Sequence, residues 1–108
     1  MNSTTTALQT LFNRIPRRHS ADNIKDINSI ITEYEDILLS IEATNSFYEK
    51  NIPPFFDSVE EVKACIKKSN DNKASKKNKD SFFDEASGTL KDSMEALIEM
   101  YAEGKRTA

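Results

Sequence analysis

Between residues 22 and 52 the large apolar side chains Ile24, Ile27, Ile31, Tyr34, Leu38, Ile41, Tyr48 and Ile52 recur three and four apart, a heptad seam that only Asn45 interrupts. No Gly or Pro falls inside the stretch, and Pro53 with Pro54 then removes two amide donors and crowds the preceding turn. The pattern predicts one continuous helix over 22–52, about 45 Å long from the helical rise per residue. With Ile24 at heptad position a, Ile27, Tyr34 and Ile41 fall at d, while Ile30 and Ile37 fall at g. That arc is wider than a two-stranded coiled-coil seam and requires several neighbouring helices. Asn45 falls at a, where one polar residue can fix register.

The partners for this helix come from the same short chain. Leu8, Leu11, Phe12 and Ile15 give a short amphipathic helix that ends at Pro16, and Pro16 to Ala21 reads as a connector with Ser20 or Asp22 as the next helix cap. Residues 1–21 carry no acid and are rich in Ser, Thr and Arg, a composition shared with targeting segments; packing on the long helix is the preferred reading. No continuous apolar h-region is present, so the Asn2-Ser3-Thr4 sequon is expected to be idle. Beyond Pro53-Pro54-Phe55-Phe56, expected as a stiff apolar turn, Ser58 and Glu61 form a capping-box pattern before Val59, Val62, Cys65 and Ile66. From 67 to 80 the sequence KKSNDNKASKKNKD has Ala74 as its one apolar residue, which predicts a flexible or solvated break in the core. A last helix over 81–103 presents Phe83, Ala86, Leu90, Met94, Leu97, Ile98 and Tyr101, weakened at Gly88, terminated by Gly104 and fraying from Lys105.

Residues 1–108 therefore read as one all-α domain: a small antiparallel helical bundle built on a long central helix, with a short amino-terminal helix and one or two carboxy-terminal helices. A seam this long in so small a chain also suggests self-association as a dimer. The lone Cys65 allows no internal disulfide and fits a reducing cytoplasm, and no apolar run approaches the ~18 residues needed to cross a bilayer.

The net charge of −3 conceals segregation by block: +3 over residues 1–21, −8 over 22–61, +6 over 62–79 and −4 over 80–108. Adjacent segments of opposite sign can satisfy one another by packing antiparallel. If the turn centres near Pro54, Lys67 and Lys68 come beside Glu42.

No Gly-rich phosphate loop, zinc spacing, calcium loop or nucleophile elbow occurs, so neither a cofactor nor a metal is expected and the chain does not read as an enzyme. His19, the only histidine, has no Glu three residues before it and reads as an exposed loop residue; Cys65 reads as a small buried hydrophobe. Two readings of function remain. One is a protein-interaction module, an adaptor, assembly chaperone or immunity-type or inhibitor-type regulator, binding a protein partner through the acidic stripe Glu35, Glu42 and Glu49 and the aromatic pair Phe55 and Phe56. The alternative is a nucleic-acid-binding regulator that uses Arg14, Arg17 and Arg18 with Lys73, Lys76, Lys77 and Lys79 among the lysines of 63–79. The acidic balance and the absence of aromatic residues among the lysines favour the first.

Overall fold

The computed structural model describes residues 3–107, so Asn2 of the sequon and the terminal Ala108 lie outside the described residues. Ser20, extended at φ −161° and ψ 161°, accepts a 3.0 Å hydrogen bond from the Asn23 amide and starts α2 (Ala21–Glu42) where the sequence places a cap. Before it, α1 (Ser3–Arg14) buries Leu8 and Leu11, and Ile15 is buried just beyond its end.

The continuous helix expected over 22–52 is corrected. It breaks after Glu42, where the amides of Ala43 and Thr44 close the last turn on Leu39 and Ile41. Asn45 then swings to extended backbone (φ −162°, ψ 175°), and its side-chain oxygen accepts from the Tyr48 amide 3.0 Å away, capping α3 (Ser46–Asn51). The heptad spacing survives the break, since Tyr48 and Ile52 are buried, but the helix axis does not continue: Asn45 acts as a cap and not as a seam residue. The reading of 53–56 as a turn is corrected too. Ile52 stays helical (φ −76°, ψ −38°), and the two prolines open α4 (Pro53–Ser69), where their missing amides are among the donors a helix start leaves unpaired anyway. The capping box at Ser58 is not formed, because Ser58 is already inside α4 and its hydroxyl turns back to the Pro54 carbonyl.

The basic stretch 67–80 divides into three. Its first residues finish α4, residues 70–75 turn, and Ser75 caps α5 (Lys76–Thr107) by accepting from the Asn78 amide. α5 thus begins earlier than the expected 81 and runs through Gly104. Its 32 residues make it the longest helix, about 48 Å by its rise, against a longest molecular dimension of 49 Å.

In cross-section α1, α2, α4 and α5 stand at four corners, each packed against the next and α5 against α1, while α3 closes one end against α2, α4 and α5. Contacts between side chains set the directions. α4 turns back through residues 70–75 into α5 and packs along it, so these two run antiparallel, and Lys63 on α4 meets Glu35 on α2. The level of α5 rises with that of α2, because His19 lies against Phe83, Tyr34 against Ser93 and Tyr48 against Tyr101. The result is an up-down-up-down bundle with α2 and α5 on one diagonal, which meet across the core where the Tyr34 and Ser93 hydroxyls lie 2.8 Å apart.

The core holds the residues the spacing selects: Ile27, Ile30, Ile31, Tyr34, Leu38 and Ile41 of α2; Val59, Val62 and Ile66 of α4; Phe83, Ala86, Leu90, Met94 and Leu97 of α5. The arc of α2 is covered by the chain's own helices, so the long uncovered seam that suggested a dimer is not there. Among the described residues no helix is long and apolar enough to cross a membrane.

Candidate functional site

An up-down-up-down topology sends alternate connections to opposite ends. The α1–α2 connector and the α4–α5 turn share one end; α3 and the carboxy-terminal part of α5 share the other. These two ends are the poles of the bundle.

At the α3 pole the acidic stripe divides. Glu35 is occupied, held by the Lys63 ammonium at 3.0 Å, and this carboxylate is the main reason the Lys63 pKa is raised. Glu42 and Glu49 make no ion pair among the described residues. They line a shallow groove with Leu39, Ala43, Asn45 and Ser46, a corner made by the end of α2 and the start of α3. Leu39 is 55% exposed, the one large hydrophobic residue left open among those described. Sequence reasoning missed it because Leu39 lies one position past the seam residue Leu38, a place where an apolar residue carries no periodic signal. Phe47, Glu49 and Lys50 extend the same surface around α3. Phe55 and Phe56 are only partly buried and pack against the core, apart from this corner. Below the corner Tyr48 is locked: its hydroxyl donates to the Tyr101 carbonyl at 2.8 Å, and the rings stack at 5.4 Å.

At the other pole the residues of the basic reading separate into groups. Arg14 is paired with Glu33 at 3.0 Å. Arg17 and Arg18 of the connector and Lys76 of α5 line one cleft with His19, Asp80 and Asp84. Lys73 and Lys77 are exposed outside the cleft, and Lys79 is half-buried on the first turns of α5. His19 is corrected from an exposed loop residue: it is half-buried, its ring meets that of Phe83 edge-on at 5.9 Å, and its Nε2 is sealed from solvent with no hydrogen-bond partner among the described residues.

Cys65 is half-buried against the core, and burial, reinforced by Glu85, pushes its thiol up, away from the thiolate a nucleophile needs. No group of three or more His, Cys, Asp or Glu side chains placed to hold a metal ion occurs among the described residues. Comparisons with protein-family models, with curated proteins and with solved structures find no match for the chain.

Proposed function

We propose that the chain is a non-catalytic protein-interaction module whose docking surface is the α2–α3 corner. The observation that carries this reading is Leu39, an exposed leucine flanked by the carboxylates Glu42 and Glu49, unpaired among the described residues, on a corner braced from below by Tyr48. An apolar anchor in an acidic frame fits a protein segment that offers an apolar side chain between Lys or Arg residues: the anchor gives contact area, and the charges give orientation and faster encounter. An adaptor, an assembly chaperone and an immunity-type or inhibitor-type regulator all work through a surface of this kind.

A photo-crosslinking side chain at position 39, compared with one at the exposed Glu99, tests the proposal in cells that make the protein. The reading expects a discrete protein adduct from position 39 that is lost when Glu42 and Glu49 are both changed to Lys, and no such adduct from position 99. Adducts of equal yield from both positions would overturn it. So would crosslinking from position 39 to a second copy of the chain alone, which would make the corner a dimer contact. The nucleic-acid alternative draws support from the meeting of Arg17, Arg18 and Lys76, but two carboxylates line the same cleft and repel a phosphate backbone.

A further inference from the structure

Arg17 and Arg18 stand far from Lys76 in sequence, yet the three cations share a single half-open cleft of about 460 Å³. That volume lies within the range of ~300–1,000 Å³ common for small-molecule sites. The topology creates the meeting: the α1–α2 connector is drawn along α5, where the Ser87 hydroxyl donates to the Pro16 carbonyl at 2.7 Å, and the α4–α5 turn delivers the first residue of α5 to the same level. Asp80 and Asp84, four apart and so on one face of α5, complete the lining.

None of these five charged side chains forms an ion pair among the described residues, although both signs line one cleft. Cations and carboxylates held apart in this way leave room for a ligand that satisfies both. His19 also lines the cleft; its Nε2 is sealed from solvent without a partner among the described residues, an unsatisfied group beside the site where an apolar side chain would pack at lower cost. Lys76 is the first residue of α5, so the cleft borders the positive end of that helix.

We propose that this cleft binds a small sugar phosphate. The guanidinium groups of Arg17 and Arg18 offer planar forks that match phosphate oxygens, and Lys76 adds a point charge. Asp80 and Asp84 can only accept hydrogen bonds when ionised, so they select a ligand whose other end donates, as sugar hydroxyls do. A bare anion meets their repulsion, and a polymer of phosphates meets it repeatedly. This site lies at the pole opposite the Leu39 corner and is independent of it.

Calorimetric titration of the full chain with a ribose monophosphate, inorganic phosphate, free ribose and a single-stranded oligonucleotide tests the assignment. The ribose monophosphate should bind saturably, with phosphate and ribose each at least about tenfold weaker, the loss of roughly one charge-assisted contact. The double change Arg17→Gln and Arg18→Gln, and separately Lys76→Gln, should weaken the ribose monophosphate by about tenfold or more. The double change Asp80→Asn and Asp84→Asn is the sharper probe: it should weaken the ribose monophosphate and strengthen inorganic phosphate. All five side chains are exposed, so these variants keep the fold, which far-ultraviolet circular dichroism verifies. Absence of saturable binding, equal affinity for phosphate and the sugar phosphate, strengthening of both by the Asp changes, or preference for the oligonucleotide would each overturn the proposal.

Discussion

The ring of Tyr48 fills the place where a β-carbon on residue 104 would stand, with Cζ 2.6 Å and Oη 2.7 Å from that position. Gly104 is therefore the residue that lets α3 close on α5, not the terminator its position near the chain end suggests. The ring cannot easily slide aside, because its hydroxyl is bonded to the Tyr101 carbonyl and its face is stacked on the Tyr101 ring. Gly104→Ala should cost about 1–3 kcal/mol, in the range of overpacking a tight contact. At Gly88, by contrast, an added β-carbon meets nothing within 4 Å, and Gly88→Ala should stabilise the helix by roughly 0.5–1 kcal/mol. Urea midpoints at unchanged slope measure both. Stabilisation by both substitutions would show that the Tyr48 contact imposes no constraint.

Asn45 supplies a second test, because the seam and the cap assign it opposite values. As a polar interruption of one long helix it would be improved by Leu; as the cap of α3, accepting from the Tyr48 amide, it would not. Asn45→Leu and Asn45→Ala should each cost about 1 kcal/mol, the usual loss of a side-chain cap. Amide hydrogen exchange localises the effect: protection should fall over 46–52 and hold over 27–41. A gain in stability with Leu would restore the continuous helix.

What was legible in the sequence was whatever repeats. The three-and-four spacing of Ile27, Ile31, Tyr34, Leu38 and Ile41, and of Phe83, Leu90, Met94 and Leu97, marks faces that must be buried, and those residues form the core. Periodicity registers neither a change of axis that keeps the spacing, as at Asn45, nor a polar residue that belongs inside. Ser87 and Ser93 are buried because of partners distant in sequence, the Pro16 carbonyl and the Tyr34 hydroxyl, and nothing local marks them. The antiparallel register was misplaced for a related reason. Counting from Pro54 puts Lys67 and Lys68 beside Glu42, whereas the prolines start a helix, the reversal falls within the break and α3, and Lys63 meets Glu35. Of the candidate residues, the sequence marked Glu42 and Glu49 by their spacing, but the cleft at the opposite pole needs the topology that brings Arg18 to Lys76.

The cross-bundle ion pairs fix that register more than they stabilise the fold. Lys63 and Glu35 remain partly open, with side chains 41% and 29% exposed, and Arg14 and Glu33 are more open still. Lys63→Met should lower stability by only ~0.2–1 kcal/mol at low salt, and the difference should shrink as salt rises. By comparison Leu38→Ala, in the covered core, should cost about 2–5 kcal/mol at any salt concentration. A salt-independent loss in Lys63→Met would assign its role to packing of its stem.

The diagonal contact of Tyr34 with Ser93 leads to a pH dependence. Burial pushes the Tyr34 hydroxyl up to about 12, and the hydrogen bond with Ser93 offsets this only in part. Below pH ~10, the ordinary tyrosine value, folded and unfolded chains both keep the proton and the contribution to stability is whole. Between pH ~10 and ~12 the unfolded chain releases the proton while the folded chain holds it, so stability falls as pH rises through this window, by roughly 2–3 kcal/mol for a shift of this size. Lysines lose charge in the same range and weaken the Lys63–Glu35 pair, so the comparison must be with Tyr34→Phe, which retains that effect and loses the tyrosine part. At neutral pH the single change Tyr34→Phe, or Ser93→Ala, should cost about 1–2 kcal/mol, because it leaves the other hydroxyl without its partner across the core. The double variant should cost no more than the larger single change, since it removes both polar groups together. Unfolding midpoints of the four proteins from pH 7 to pH 12 give both results; parallel curves for wild type and Tyr34→Phe would show that burial does not hold the Tyr34 proton, and additive costs at neutral pH would show that Tyr34 and Ser93 do not bridge the core.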